Sequence, residues 1–298
     1  MALSERGEYA RSMPGSESEA TVARRVEAAL GTDVTDCAEL DGGEVGRVHR
    51  CNLLSGRTIV AKTGPTPLTV EARMLRSLDE HGLPVPAIYY ASDALLCLEY
   101  VPGESILTPA VERDVAHHLA ALHERTASEY GFPFDTLSGP YRQFNPWTDS
   151  WVTFFREHRL GYLCRAARDE GALPTTVFDR LEALCSELAS LVPDDPPASL
   201  LHGDIWADNL RCRDGAVQAF LDPACFYGHA EVELAYADLV GFGEAFFEAY
   251  DAERSIDEGF RKHRRDVYVL YPLIEHVRYF DADRYREELE EALARLGH

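Results

Sequence analysis

The patterning of the chain changes near Pro102-Gly103, and this change limits what the chain can fold into. Before it, short β-like runs are split by turn residues, with one helical stretch at 69–81 between them. After it, nearly every patterned segment has helical spacing. We therefore predict an α+β fold with two segregated lobes and a cleft between them, a small antiparallel β-rich N-lobe and a mostly helical C-lobe.

The same patterning sets the expected boundaries. Residues 1–19 are polar and rich in Ser, Glu and Gly, as is typical of a flexible tail, so the N-lobe is placed at 20–102 and the C-lobe at 103–298. Within the N-lobe, Gly31 is expected to end a first helix and Thr69 to cap a second. Helices are predicted near 109–125, 147–169, 175–191, 231–250, 258–280 and 283–297, with strands at 87–91, 94–101, 200–203 and 217–222.

The strongly negative net charge of the chain limits which kinds of partner it can bind. The formal net charge is −22, from 51 acidic and 29 basic residues, and such a chain repels phosphate backbones and anionic membranes. We therefore expect no nucleic-acid partner and no membrane association. No apolar leader and no run of 18 apolar residues occurs, which predicts a soluble, cytoplasmic protein.

The basic residues are almost all arginine. Only Lys62 and Lys262 are lysines, against 27 arginines. An acidic surface poor in lysine is typical of a protein from a high-salt cytoplasm, although a high-GC genome alone also favours arginine. A halophilic source is therefore a hypothesis.

Seven cysteines are scattered along the chain without a C-x-x-C pair. They are Cys37, Cys51, Cys97, Cys164, Cys185, Cys212 and Cys225. Because their number is odd and no metal-binding spacing occurs, we predict free, mostly buried thiols.

The segment LLHGDIWADNLRCRDGAVQAFLDPA carries the strongest chemical signal. It places Asp204 after an apolar strand, Asn209 five positions later and Asp222 at the end of a second strand. A carboxylate at Asp204 can orient and deprotonate an attacking hydroxyl, while Asn209 and Asp222 offer the hard oxygen ligands that Mg²⁺ prefers. The spacing matches the catalytic loop and metal-binding aspartate of protein kinases. Singly, each residue is also an ordinary turn or strand-end residue.

Lys62 follows a glycine-containing turn and ends a strand, where a kinase needs a cation to reach the phosphates of ATP. A compact ammonium kept in an arginine-preferring chain indicates a specific requirement, although a surface lysine is the alternative. Glu71, near the start of the next helix, is its expected partner. Many glutamates at helix starts merely favour the helix dipole.

Two further segments are candidates for nucleotide binding. Gly42 and Gly43, in the turn DGGEVG, could cover the triphosphate with backbone N–H groups, but the turn lacks both the Walker A pattern and a full G-x-G-x-x-G. Glu99 and Val101 lie at the lobe junction, where an adenine would receive backbone hydrogen bonds. An ordinary edge strand explains the second segment equally well.

Together these residues resemble the fructosamine kinase (ketosamine 3-kinase) family, which is related to aminoglycoside and choline kinases and has a protein-kinase-like fold. LLHGDIWADN is similar to the family's LLHGDLWxGN, and DPACFYGHAEVELAYADLVGFGEAFFEAY is similar to its segment after the metal-binding aspartate. The resemblance implies ATP- and Mg²⁺-dependent phosphorylation of the 3-hydroxyl of fructosamines, ribulosamines or erythrulosamines, free or on protein lysines. The 3-phosphate then breaks down and frees the amine, which is deglycation and protein repair.

The resemblance also implies roles for individual residues. Asp204 would be the base, Asn209 and Asp222 the Mg²⁺ ligands, and Lys62 with Glu71 the phosphate clamp. Trp206 would pack on the sugar and His276 contact its hydroxyls. His229, Glu231 and Glu233 are expected to fix the loop after Asp222 by hydrogen bonding, and His202 is also expected to support a loop.

Two positions depart from the family pattern. Glu275 stands beside His276 where asparagine is expected, and Glu44 stands in the glycine-rich turn where many members have a cysteine. Redox regulation through that turn is therefore not carried over.

Two other functions remain open at this stage. One is a phosphotransferase for a different alcohol, such as an aminoglycoside or choline-like substrate. The other is a non-catalytic nucleotide-binding pseudokinase, although such proteins usually lose the lysine, the aspartate or a metal ligand. The preferred ketosamine is left open, and a monomer or weak dimer is expected.

Overall fold

The N-terminal lobe is built on a five-stranded antiparallel sheet. The computed structural model describes residues 18–40, 45–280 and 283–298. The strands are β1 (Val34–Leu40), β2 (Arg47–Leu53), β3 (Thr58–Thr63), β4 (Ile88–Ser92) and β5 (Leu95–Glu99), in the order β1-β2-β3-β5-β4. Each neighbouring pair is antiparallel. Two helices, α1 (Glu19–Leu30) and α2 (Leu68–Glu80), pack on the sheet.

Helix α1 has clear signals at both ends. The Ser18 hydroxyl accepts a hydrogen bond from the amide of Thr21 at 3.3 Å, which satisfies one of the unpaired first-turn amides. Gly31 ends the helix as predicted, because it adopts a left-handed φ of 66°. Between these ends, Val22 and Val26 are fully buried against the sheet.

Helix α2 contacts both lobes. Leu75 packs with Leu96 of β5, whereas Met74 and Leu78 belong to the larger apolar core of the C-terminal lobe. The prediction that Thr69 caps this helix was wrong: Pro67 is at the N-cap, and the Thr69 hydroxyl donates to the Asp93 carboxylate instead. A helix held from both sides provides a firm support for its polar first turn.

The first two strands carry a disulfide, which corrects the expectation of free thiols throughout. Cys37 and Cys51 face each other in the β1–β2 register with 4.1 Å between their Cα atoms, and their sulfur atoms are bonded. Directly opposed cysteines of an antiparallel pair are near enough to bond, a relationship that spacing along the sequence does not reveal. The other five cysteines are free and buried, as predicted.

The C-terminal lobe is mostly helical with small sheets. Its helices are α3 (Pro109–His123), α4 (Trp151–Phe155), α5 (Gly161–Asp169), α6 (Thr175–Leu191), α7 (Glu231–Leu239), α8 (Glu244–Glu253), α9 (Arg265–Phe280) and α10 (Asp283–Arg295). Its strands are β6 (Thr126–Ala127), β7 (Thr136–Ser138), β8 (Tyr141–Gln143), β9 (Ala198–Leu201), β10 (Leu210–Arg213), β11 (Ala216–Phe220) and β12 (Phe226–Gly228). Strands β12, β9 and β6 form one sheet, while β7 with β8 and β10 with β11 form separate hairpins.

Three predicted helices differ from the observed ones. The helix predicted at 258–280 contains a π-helical turn, Phe260–Arg264, ahead of α9. The helix predicted at 231–250 is two helices, α7 and α8, because Gly241 turns the chain with a φ of 94°. The helix predicted at 147–169 begins at Trp151 and contains a π-helical turn, Arg156–Leu160, between α4 and α5. The α+β organisation in two lobes is as expected, and the exact lobe boundary stays a prediction.

The main core lies in the C-terminal lobe around Trp151. This side chain is fully buried, stacks on Phe154 and Phe155, and donates its indole N–H to the Tyr268 hydroxyl at 3.0 Å. Across the described ranges of the chain, no helix combines the length and apolar character needed to cross a bilayer. Most of the predicted tail (1–19) and the predicted phosphate-covering residues Gly42 and Gly43 lie outside the described residues.

Candidate active site

A tight turn after strand β9 presents Asp204. Gly203 has a φ of 88°, and a Cβ added there would lie 2.2 Å from the carbonyl oxygen of Ala224. The His202 carbonyl accepts a hydrogen bond from the Ala224 amide at 2.8 Å, so two chain segments touch at this point. Only glycine combines this conformation with this close approach. The turn therefore fixes Asp204 relative to the segment that follows Asp222.

Both carboxylate oxygens of Asp204 accept hydrogen bonds. Asn209 Nδ2 donates to Oδ2 and to the Asp204 carbonyl oxygen, each at 2.9 Å, and the Tyr236 hydroxyl donates to Oδ1 at 2.7 Å. Donors on two sides hold the carboxylate plane in one orientation. An oriented carboxylate of this kind can accept a proton from a hydroxyl within hydrogen-bond reach.

Asn209 and Asp222 lie on neighbouring backbone segments and have the chemistry of magnesium ligands. The Leu221 amide donates to the Asn209 carbonyl oxygen at 2.8 Å, which joins the two segments. Because Asn209 Nδ2 is directed at Asp204, the hard acceptor Oδ1 faces away from it. Asp222 has a left-handed φ of 51°, and 47% of its side chain is exposed. These features fit a site that offers oxygen ligands to Mg²⁺.

A complete protein cage for a metal is not found in the part of the chain that the structure describes, where no group of three His, Cys, Asp or Glu side chains is suitably arranged. Mg²⁺ typically keeps few protein ligands and takes the rest from phosphate oxygens and water. Two protein ligands, Asn209 and Asp222, are therefore sufficient for a Mg²⁺ site of this kind.

Lys62 lies between two carboxylates from different lobes. Its Nζ is 2.8 Å from Oε1 of Glu71 on α2 and also contacts Oδ1 of Asp222. Burial alone would lower the pKa of Lys62, but Asp222 and Glu71 raise it above its ordinary value. Although burial opposes ionisation, Lys62 holds the pKa of Asp222 below its usual range. The expected Lys62–Glu71 pairing is present.

Glu233 supports the turn from behind. Its carboxylate accepts hydrogen bonds from the amides of His202 at 3.2 Å and Gly203 at 2.6 Å, and from His123 Nε2 at 2.9 Å. Burial opposes ionisation of Glu233, yet the hydrogen bond from His123 and those from the turn hold its pKa below the ordinary value. Burial lowers the pKa of His202, whose Nδ1 accepts a hydrogen bond from the Asp204 amide at 3.3 Å. The buried anion thus fixes the backbone that carries Asp204.

His229 and Glu231 belong to a second polar cluster, which does not line the cavity beside Asp204. His229 Nδ1 accepts from the Tyr268 hydroxyl at 2.8 Å, and burial together with the charge of Arg264 lowers its pKa to about 3. Glu231 forms two hydrogen bonds of 2.6 Å with the Arg264 guanidinium. Both side chains are thus held by hydrogen bonds within the C-terminal lobe, and their role in supporting the loop stays a prediction.

Trp206 and His276 line the same cavity as Asp204. The cavity has a volume of about 420 Å³, and several aromatic side chains line its wall. Its remaining lining residues include Tyr141, Phe226, Tyr236, Tyr271, Glu275, Tyr279, Phe280, Tyr285 and Glu288. The His276 ring lies 4.7 Å from the Tyr285 ring of α10 and 5.6 Å from that of Phe280. A pocket of this size with aromatic walls and a few polar groups is suited to a small polar molecule.

Glu99 and Val101 lie at the junction between the lobes. The Glu99 amide donates to the Ala87 carbonyl oxygen at 2.8 Å, and its carboxylate accepts from the Ala87 amide at 3.2 Å. The Glu99 side chain therefore folds back on the residue before β4. The part that Glu99 and Val101 play in adenine binding stays a prediction.

Comparisons with known proteins decide the family. The sequence model described as "Fructosamine kinase" matches residues 19–297. The chain belongs to the fructosamine kinase family. A chloroplastic protein-ribulosamine 3-kinase of Arabidopsis thaliana is 33% identical over 261 residues, covering 84% of this chain and 79% of that protein. A Vibrio cholerae protein assigned as a ketoamine kinase is 29% identical over 238 residues, covering 78% and 81%.

Solved structures agree with this membership. A Thermobifida fusca protein assigned as a fructosamine-3-kinase is 30% identical, has a TM-score of 0.84, and is matched over 92% of this chain and 98% of its own. An ADP-bound aminoglycoside phosphotransferase, at 16% identity and a TM-score of 0.64 over 93% and 98% of the two chains, shares the fold. The predicted family, the two-lobed protein-kinase-like fold and the class of enzyme, a phosphotransferase with an alcohol acceptor, are confirmed.

Tyr236 was not among the residues predicted from the sequence, although the structure places its hydroxyl against the Asp204 carboxylate. Tyr236 follows Glu233 by three residues on α7, so both side chains project from one helical face toward the same turn. Glu233 was expected to support the loop after Asp222, and it instead holds the turn before Asp204. Helical spacing from Glu233 was the available signal for Tyr236.

Proposed function

We propose that this chain is an ATP- and Mg²⁺-dependent kinase that phosphorylates the 3-hydroxyl of ketosamines, free or attached to protein lysines. The observation that carries the proposal is the Asp204 carboxylate, held by Asn209 and Tyr236 at the wall of the 420 Å³ cavity. Family membership and the ribulosamine 3-kinase named among the relatives support the choice of acceptor.

In the proposed reaction, Asp204 orients the acceptor hydroxyl and takes its proton. The hydroxyl oxygen forms a bond to the γ-phosphorus of ATP while the bond from that phosphorus to the β,γ-bridging oxygen breaks, and ADP leaves with the electron pair. The hydrogen bonds from Asn209 and Tyr236 leave the carboxylate little freedom to rotate away. Its contribution is therefore positioning as much as basicity.

The remaining roles follow from where the other polar groups lie. Lys62, kept charged and aligned by Glu71, would bind phosphate oxygens of ATP. Asn209 and Asp222 would hold Mg²⁺, which when bound neutralises charge on the phosphates. Trp206 would pack on the sugar and His276 would contact its hydroxyls, since both line the cavity.

The biological consequence of the proposed product is repair. The 3-phosphoketosamine would lose a proton from C1 to form the C1–C2 enaminol, which expels inorganic phosphate from C3. Water then hydrolyses the resulting imine at C1, which releases the original amine and leaves the sugar as a 3-deoxydicarbonyl. Phosphorylation would thus reverse the attachment of a sugar to lysine. The substrate range would extend over ribulosamines, erythrulosamines or fructosamines.

A substrate panel with coupled detection of ADP tests the proposal. Ribulosamines, erythrulosamines and fructosamines of a blocked lysine, and a glycated protein, are compared with an aminoglycoside and with choline. We expect turnover of at least one ketosamine, which Asp204→Asn abolishes while the thermal midpoint is kept. The matched control is Asp179→Asn on α6, an exposed aspartate, which should leave turnover unchanged.

The other outcomes are equally defined. Turnover of the aminoglycoside or choline without any ketosamine would identify a phosphotransferase for a different alcohol. Binding of ATP and Mg²⁺ with no turnover of the whole panel would identify a pseudokinase. Retained turnover in Asp204→Asn would remove the proposed base.

A further inference from the structure

Glu275 places a carboxyl group in the wall of the acceptor cavity. It precedes His276 on α9, is partly buried, and lines the cavity together with Asp204 and Trp206. It also borders a small neighbouring cavity lined by Arg159 and Tyr271. An ionisable group in this position faces whatever molecule fills the cavity.

The two arginines whose charges act on Glu275 form their hydrogen bonds with other groups. Arg159 donates to backbone carbonyl oxygens and, at 2.6 Å, to Asn145 Oδ1, while Arg278 forms hydrogen bonds of 2.6 and 2.8 Å with Glu170. Within the three described ranges of the chain, Arg278 forms its ion pair with Glu170 at 2.6 Å, and no ion pair joins it to Glu275. Its anion is therefore left without a contact ion pair from those residues.

The surroundings of Glu275 make its ionised form costly. Burial raises its pKa to about 7, against the opposing effects of the Ser138 hydroxyl and the charges of Arg159 and Arg278. A buried carboxylate is stabilised when a cation comes into contact with it. A positively charged group of a bound molecule would supply the contact ion pair that Arg159 and Arg278 do not form with Glu275.

We propose that Glu275 determines acceptor specificity by pairing with the positively charged amine of the substrate. This inference rests on the proposed function, because a ketosamine carries its secondary ammonium on C1, two carbons from the reacting C3 hydroxyl. With that hydroxyl at Asp204, the ammonium lies within the same cavity, where Glu275 is a second carboxyl group. A ketose, or a ketosamine whose nitrogen is acylated, lacks the cation and leaves Glu275 unpaired.

The test compares two acceptors that differ in charge at nitrogen. A ribulosamine of a simple alkylamine is measured beside its N-acetyl derivative, with the full-length protein, Glu275→Gln and a matched control, Glu182→Gln, an exposed glutamate of α6. We expect the wild type to prefer the amine, and Glu275→Gln to raise KM for the amine about tenfold or more while barely changing KM for the amide. Glu182→Gln should match the wild type.

Glu275→Asp, which keeps the charge on a shorter side chain, should recover part of the preference. Equal losses on both acceptors in Glu275→Gln would show a structural role and overturn the inference, as would an unchanged preference. Those results leave the proposed kinase activity intact. A wild type that turns over neither acceptor nor any other ketosamine would instead overturn the proposed function, and the inference with it.

Discussion

The Tyr236 hydroxyl donates a hydrogen bond to Oδ1 of Asp204 at 2.7 Å, so the carboxylate of the catalytic loop is held by a helix that follows it by almost thirty residues. The same helix, α7, carries Glu233, which binds the amides of His202 and Gly203. One helix therefore positions both the backbone and the side chain of the proposed base. A substitution on α7 should therefore change the position of the Asp204 carboxylate and lower kcat, with little effect on ATP binding.

Tyr236→Phe tests that relationship. Loss of the hydroxyl frees one carboxylate oxygen of Asp204, so we expect kcat to fall about ten- to hundredfold with little change in KM for ATP. Steady-state kinetics with both substrates varied gives the two constants separately. Tyr90→Phe, on the exposed face of β4, is the matched control and should retain wild-type constants. An unchanged kcat in Tyr236→Phe would mean that the Tyr236 hydrogen bond is not needed to orient the carboxylate.

The two lysines of the chain provide a matched pair of substitutions. Lys62→Arg places a longer, planar cation between Glu71 and Asp222, where a compact ammonium is held by both, so we expect kcat/KM for ATP to fall about 100-fold. Lys262→Arg should have no effect, because Lys262 lies in an exposed position and pairs with the exposed Glu258 one helical turn away. Full activity in Lys62→Arg would show that charge alone is sufficient there.

Gly203→Ala should damage both fold and activity. The added Cβ would lie 2.2 Å from the Ala224 carbonyl oxygen, so we expect the free energy of unfolding to fall by about 3 kcal/mol or more. Gly171→Ala shares the left-handed conformation, with a φ of 76°, but its Cβ would meet nothing within 4 Å, and it should cost only about 1 kcal/mol. Chemical denaturation measures both. Equal losses of unfolding free energy in the two variants would mean that the left-handed conformation, and not the contact with Ala224, causes the destabilisation.

Glu275 should leave a signature in the pH dependence of stability. Its pKa is raised from 4.5 to about 7 in the folded protein, so between these values the folded state binds a proton that the unfolded state has lost. Stability from this group is present below pH 4.5 and is lost as pH rises to 7, by up to about 3 kcal/mol. In Glu275→Gln that part of the slope should disappear, whereas Glu182→Gln should keep it. Denaturant titrations at several pH values compare the slopes, and parallel curves for wild type and Glu275→Gln would contradict the expectation.

Much of the site could be predicted because its chemistry is local in sequence. Asp204 and Asn209 share one loop, and the strand that leads to Asp222 is short, so spacing alone predicted that they would meet. Lys62 and Glu71 were predicted because a strand end and the next helix start are near neighbours. The structure brings each of these groups together.

Contacts between distant segments could not be predicted in the same way. Cys37 and Cys51 meet only because of the β1–β2 register, which depends on the pairing of whole strands. Threonine is a residue type that often caps helices, but the Thr69 hydroxyl donates its hydrogen bond to the Asp93 carboxylate of a neighbouring turn. In both cases a tertiary partner overrides the local signal.

The clamp on Lys62 has a consequence for the chemical durability of the protein. Sugars attach to amines through the unprotonated nitrogen lone pair, and Glu71 and Asp222 keep the Lys62 nitrogen protonated and mostly shielded. The lysine side chain left open to such attack is Lys262. Mass spectrometry after prolonged incubation with ribose should find lysine adducts at position 262 and not at 62. A protein proposed to repair glycation would thus present almost no lysine that needs repair.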